Sequence, residues 1–329
     1  MSAKILRPIQ GVILLLALCL VGCKSEPGSA TAFEERSEVV VPPFNRDSAL
    51  QYVRQQVSFG PRYVGSEGHT VALEWMAAKL ESSGAALVRQ DFVANLYTGE
   101  DLPATNLIAS YNSEHKRRIV LAAHWDTRHI AEKDPDPGLR DDPILGADDG
   151  ASGTAVLLEI ARVLGSHQID LGVDLVFFDA EDYGENGGAD DTWCLGSQHW
   201  ARNLKGVTRP QYGVLLDMVG SKGAVFRKEG VSLHFARQVV DKVWSLAQSM
   251  GYGHYFSDES LQPITDDHLF VNQISGIPMI DIIYQTSQGS FGAYHHTHAD
   301  DLSIIDKNTM GAVGQVMVAL LFHESAGSL

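Results

Sequence analysis

From Asp47 onward the apolar positions alternate between a helical period and short strand-like runs. "DSALQYVRQQVSFG" and "SEGHTVALEWMAAKLESSG" carry apolar residues at helical spacing, with Asp47 and Ser66 as expected N-caps and a glycine closing each. "ALVRQDFV", "TNLIASY" and "RRIVLAAH" follow as strands, the last an unbroken apolar run suited to a central strand buried on both faces. "SGTAVLLEIARVLG" predicts a helix, "VDLVFFDA" and "YGVLLDMV" strands, "HFARQVVDKVWSLAQSMG" a helix, "PMIDIIY" a strand and "NTMGAVGQVMVALLFHES" a closing helix. This alternation predicts a single α/β domain: a twisted, mixed but mostly parallel sheet with helices on both faces. No internal repeat or second domain interrupts it.

The first residues break the pattern. Lys4 and Arg7 precede "GVILLLALCL", too short to span a bilayer and typical of a secretory leader, and "LVGC" reads as a lipobox. The expected organisation is a lipoprotein signal peptide over 1–22, a tether over 23–43 beginning with a lipidated Cys23, and one catalytic domain over 44–329. The Pro-, Gly-, Ser- and Glu-containing stretch after Cys23 suits a spacer between a membrane and a domain facing the periplasm of a bacterial envelope. Which membrane holds it is left open.

Composition narrows the function classes. The 329 residues are 44% hydrophobic and 20% charged, ordinary for a globular chain, with a net charge of −16. Removing Lys4 and Arg7 with the leader gives 23 − 41 = −18. Such acidity disfavours nucleic acid and anionic lipid as partners. Of the three cysteines only Cys194 stays free after processing, so no intramolecular disulfide is expected.

The candidate chemistry lies where strands end. "LVFFDAEDYGENGG" runs from an apolar strand into Asp179, Glu181, Asp182 and Glu185. Clustered carboxylates repel one another and cost desolvation unless solvent or a cation compensates. Open α/β sheets bind ligands beyond the carboxyl ends of their strands, and here those ends carry "HWD", "DAED" and "LLDMVG", with "GADDGASG" before a helix and "YHHTHADD" after the last strand. Zinc takes imidazole nitrogen and carboxylate oxygen, and a catalytic site uses three protein ligands with one position open. Asp149, Asp182 and His296 supply such a set from three loops.

"HWD", "GADDGASG", "AED", "LLDMVG" and "YHHTHADD", in this order, resemble the zinc-dependent aminopeptidase clan, which includes two-metal exopeptidases and the animal-type glutaminyl cyclases with one zinc. The resemblance runs from "FGPRYVGSEGH" to "DLSIID". It implies a zinc aminopeptidase-like fold, with Asp149, the second acid of "GADDG", as a metal ligand followed by a cis peptide at Gly150. In "AED" it implies Glu181 as general base and acid and Asp182 as ligand, and in "HTxxD" it implies His296 rather than His295 or His298. Asp182 replaces a Glu of the animal cyclases, and His295 stands where they have a Trp.

"PITDDHLF" separates the two activities of that clan. The exopeptidases resembled carry Ser-Asp-His where this chain has Asp266, Asp267 and His268, as the animal cyclases do; Asp266 also suits an N-cap of a helix over "DDHLFVNQISG". The implied reaction is cyclisation of N-terminal glutamine of peptides or proteins to pyroglutamate with loss of ammonia, using one zinc per chain as Lewis acid. Glu181, Asp217 and Asp266 form the implied catalytic carboxylate network. Trp193, on the loop "YGENGGADDTW", is the candidate apolar lid of the substrate pocket, with Ile264 and Phe291 as further candidates. His124 and Asp217 would complete a second metal position in the exopeptidases, which keeps hydrolysis of N-terminal residues as the alternative activity. A lipoprotein binding zinc or peptide without catalysis would be expected to lack Glu181.

Overall fold

The computed structural model describes residues 39–204 and 208–329 beside Met1; the expected signal peptide, Cys23 and the tether through residue 38 lie outside the described residues. Residues 39–43, the end of the expected tether, lie on the domain: Val41 packs against the core and the Pro42 carbonyl accepts from Gln315 Nε2 at 3.1 Å. None of the described helices is long and apolar enough to cross a membrane.

The chain begins with α1 (Arg46–Ser58) and α2 (Glu67–Ser82). Ser66 caps α2 as expected, but α1 starts one residue before Asp47, because the Asn45 side chain accepts from the N–H groups of Asp47 and Ser48. Gly60 and Gly84, at φ +83° and +82°, close the two helices. Then come β1 (Ala86–Asn95), β2 (Asp101–Tyr111), β3 (Arg118–His124), α3 (Ala151–Ser166), β4 (Gly172–Phe178), α4 (Leu195–Arg202) and β5 (Gly213–Asp217). The remainder comprises β6 (Phe226–Lys228), α5 (Gly230–Phe235), α6 (Arg237–Ser249), β7 (Phe256–Ser260), α7 (Asp267–Phe270), β8 (Met279–Ile283) and α8 (Lys307–Ser325). The predicted helix over 234–251 is two helices. Glu229 caps α5 through the N–H groups of Val231 and Ser232, and the chain breaks at Ala236, φ −139° and ψ 36°.

Six strands form the main sheet in the order β1-β2-β4-β3-β5-β8. The pairs β1–β2 and β2–β4 are antiparallel, whereas β4, β3, β5 and β8 are parallel. All residues of β3, β4, β5 and β8 are buried, as their continuous apolar runs require of strands covered on both faces. Alternate residues face two cores. Leu121, Leu175, Leu216 and Ile282 point toward the core shared with α1, α3, α6 and α8, while Ala122, Val176, Leu215 and Met279 point toward Trp200 and Val271. In α3, thirteen of sixteen residues are buried, and a Cβ on Gly153 would come 2.1 Å from the Leu216 carbonyl. That approach seats the start of α3, and with it Asp149, against the end of β5.

Candidate active site

Three loops at the carboxyl ends of the parallel strands bring Asp149, Asp182 and His296 together. The Asp300 carboxylate fixes the turn before α3, accepting the N–H groups of Asp148 and Asp149 at 2.7 and 3.1 Å. Asp148 binds the Gly220 N–H at 2.6 Å and the Tyr294 hydroxyl at 2.5 Å, so it ties loops together and leaves the outward position to Asp149. The peptide after Asp149 is trans, against the expectation of a cis bond. Gly150 takes the turn at φ 3°, ψ −12°, where a Cβ would meet His124 Cε1 at 2.8 Å.

His296 Nε2 lies 3.2 Å from Asp182 Oδ1 and 3.9 Å from Asp149 Oδ2. Both Asp182 oxygens and Asp149 Oδ2 are buried without a hydrogen-bond partner. Unpartnered buried carboxylate oxygens are costly, and a cation removes that cost. Burial alone would lower the His296 pKa, but Asp182, Glu132 and Asp149 outweigh it and hold it near 9. Burial would raise Asp149, yet His124, His295 and His296 keep it well below the usual carboxylate range. The carboxylates around His296 thus favour a cation beside it, and the donors are those zinc accepts.

Around these three stand residues that the sequence reading did not single out. Glu132 Oε1 lies 2.7 Å from His296 Nδ1, which directs Nε2 toward the two carboxylates, and Arg128 holds Glu132 at 3.1 Å. The Asp126 carboxylate accepts the N–H groups of Glu181 and Asp182, both at 3.1 Å. Asp126 ends the "HWD" motif, whereas the only signal for Glu132 was charge density in "HWDTRHIAEK", directly after a central strand. His295 stacks on His296 at 3.7 Å, its Nε2 3.8 Å from Asp149 Oδ2 and its Nδ1 2.7 Å from Lys133 Nζ. His298 instead turns away to Asp134 at 3.0 Å.

Glu181, Asp217 and Asp266 line the same cavity as Asp149, Asp182 and His296. Burial, with the charges of Asp182, Asp266 and Asp267, pushes Glu181 well above the usual carboxylate range, although His124 opposes this. Burial, with Asp266 and Asp149, brings Asp217 up to about 8 against its hydrogen bond from His124. Asp266 caps α7 as expected, accepting the Asp267 N–H at 2.5 Å, and burial raises it too. The predicted helix over 266–276 is α7 followed by one wider turn, Val271–Ser275, ended by Gly276 at φ +66°. Oxygen atoms of Glu181 and Asp266 and the Cys194 sulfur lie within 4.8 Å of one another. Close buried carboxylates titrate as a set, so this set retains protons at neutral pH. His124 Nε2 lies 3.1 Å from both Asp149 Oδ1 and Asp217 Oδ1, at the position of a second metal in the alternative reading.

A cavity of about 290 Å³ opens onto these groups, and Trp193, Ile264 and Phe291 are among its lining residues. Trp193 lies nearly parallel to the His296 ring, centroids 6.0 Å apart, with the Arg128 guanidinium 4.5 Å from its centroid. Gly184 makes this possible, since a Cβ there would lie 1.9 Å from Trp193 Cδ2. Phe291 stacks on His295 at 4.3 Å.

An apolar-roofed cavity at the carboxyl edge of a mixed sheet, with two carboxylates and an imidazole around a cation position and a proton-sharing carboxylate beside them, defines a metal-dependent enzyme of the zinc exopeptidase type. The model of Peptidase family M28 matches residues 106–321, and the chain belongs to that family. Among solved structures it is similar to Bacteroides thetaiotaomicron glutaminyl cyclase bound to N-acetylhistamine, at 46% identity, covering 86% of this chain and 99% of that one with a TM-score of 0.84. It is also similar to a Zn-dependent exopeptidase from Parabacteroides distasonis, at 43% identity, covering 86% and 99% with a TM-score of 0.83. A glutaminyl-peptide cyclotransferase from Boiga irregularis is 25% identical over 78% of this chain and 75% of its own length. The zinc aminopeptidase-like architecture expected from the sequence is the architecture of these structures.

Proposed function

We infer that this chain is a zinc-dependent glutaminyl cyclase acting on peptides and proteins with N-terminal glutamine. The carrying observation is that Asp266 joins Glu181 under an apolar roof beside the metal donors, in a chain matching a solved glutaminyl cyclase over 86% of its length. Asp149, Asp182 and His296 would hold one zinc, which would supply Lewis-acid polarisation of the substrate γ-carbonyl.

The chain's own groups handle the protons. As the α-amine nitrogen bonds to the γ-carbonyl carbon, Glu181 takes the amine proton; as the bond to the amide nitrogen breaks, Glu181 returns it and ammonia leaves. Asp217 keeps the remaining proton of the cluster and Asp266 accepts from it, so that the two orient Glu181 for the transfer. Trp193, Ile264 and Phe291 cover the glutaminyl side chain and exclude water, which an intramolecular attack does not require.

Aminopeptidase activity is the second reading, favoured by the equal approach of His124 to Asp149 and Asp217 and by the similarity to the Parabacteroides exopeptidase. A coupled ammonia assay on glutaminyl peptides beside a leucine-anilide assay separates the two. Ammonia and pyroglutamyl product without leucine release is the expected result; leucine release without ammonia would transfer the assignment to the peptidase.

The leader and lipobox support a lipoprotein anchored through Cys23 and facing the periplasm, and the charge of −18 after processing supports a chain with no nucleic-acid partner. Cys23→Ser should move the protein from the membrane fraction to the soluble fraction. Continued sedimentation with membranes would remove the lipid anchor from the account.

A further inference from the structure

Behind Asp266, on the side away from the cavity, lies a group of buried side chains that the reaction above does not use. Asp281 is the one acid of β8 and is fully buried. Its N–H donates to Ser232 Oγ at 2.9 Å, but neither carboxylate oxygen meets an N–H or O–H donor. His268 Nδ1, also buried and unpartnered, lies 3.9 Å from Asp281 Oδ2. The other imidazole nitrogen is 3.0 Å from Glu229 Oε2. Glu229 is saturated with donors: the N–H groups of Val231, Ser232 and Ile264, and the Ser232 hydroxyl. Asp266 Oδ1 takes the Asp267 N–H, while its Oδ2 has no donor. Donor atoms of Asp266, His268 and Asp281 lie within 4.8 Å of one another.

Asp266 and Asp281 therefore each keep a buried oxygen without a donor, and an oxygen of one carboxyl group lies within 4.8 Å of an oxygen of the other. Two carboxylates so placed do not both ionise, and one shared proton satisfies both. The Asp267 N–H favours the anion on Asp266, and nothing comparable favours the anion on Asp281. We propose that Asp281 is a positioning residue for cyclisation: its protonated carboxyl donates to Asp266 and is backed by the Glu229–His268 pair, so that Asp266 is held as an oriented anion beside Glu181. Burial, with the charges of Asp266, Asp217 and Glu229, pushes Asp281 well above the usual carboxylate range, consistent with its holding the proton. The proposal rests on the cyclase reading and extends its proton network by one layer.

The test uses the full chain with two substitutions. Asp281→Asn retains an N–H donor toward Asp266; Asp281→Leu keeps the branched shape and removes the donor. With zinc content unchanged, Asn should keep kcat within about threefold, whereas Leu should lower kcat by about 10–100-fold, within the range of a perturbed proton carrier, with KM nearly constant. Because Asp266 without its donor binds a proton more tightly, the acidic limb of the kcat/KM profile should move to higher pH in the Leu variant only. Equal kcat and profiles in both variants and wild type would overturn the proposal, as would an Asn variant as impaired as Leu. A second metal in wild type that Asp281→Asn loses would replace it with a metal site at Asp266, His268 and Asp281. Wild type that releases no ammonia would instead overturn the cyclase reading itself.

Discussion

Glu181→Gln should leave a folded, zinc-loaded protein whose ammonia release is about 10²–10⁴-fold slower than wild type, the range for losing a positioned proton carrier. That loss corresponds to roughly 3–5 kcal/mol of transition-state stabilisation. The change is nearly isosteric, and the amide oxygen can still accept from Cys194 Sγ, which lies 3.2 Å from Glu181 Oε1. Asp126 holds the backbone at Glu181 and Asp182, so the neighbouring ligand has no reason to move. Rate measurements on a glutaminyl peptide with parallel elemental analysis check both halves. Retention of more than a tenth of wild-type kcat would remove Glu181 from the role of base.

Asp182→Asn should strip or greatly weaken zinc binding and abolish turnover as a consequence. The substitution preserves shape but removes one of the two anionic ligands proposed here, in a site where both Asp182 oxygens are free of any hydrogen bond. Glu132→Gln acts on the same metal one layer out. Glu132 orients His296 from 2.7 Å, so its loss should cost about 10–100-fold in zinc affinity rather than eliminate binding. Competition with a chelator, read as metal content against chelator concentration, ranks the three proteins. Full zinc occupancy in Asp182→Asn would remove Asp182 from the ligand set.

The four buried parallel strands were legible because strands covered on both faces must be continuously apolar, and the carboxylates appeared where those runs stopped. The small parallel pair β6–β7 was not legible, since "FRK" and "FSDES" are too short and polar to show a strand period. The break at Ala236 was hidden because apolar spacing continues across it. Glu132 was missed for a different reason: it acts on the far nitrogen of His296, and no sequence spacing records that, whereas Asp126 and Asp300 stood without a role in "HWD" and "HTxxD" because their carboxylates act on backbone N–H groups. Asp281 was visible as an acid inside the apolar run "PMIDIIY", and that isolated charge in a buried strand was the available clue.

Cys194 is the free cysteine among the described residues, fully buried in the floor of the site, with its backbone N–H on the Glu181 carbonyl. Burial and the neighbouring carboxylates push its thiol well above the ordinary cysteine range. Oxidants and alkylating reagents attack thiolates that they can reach, and the closed protein offers none. Toward an added oxidant the sulfur therefore behaves as a hydrogen donor rather than as a redox group. Its rate of labelling becomes a clock for the opening of the active-site floor, ticking at the pace of local unfolding and slowing when a ligand holds the site closed.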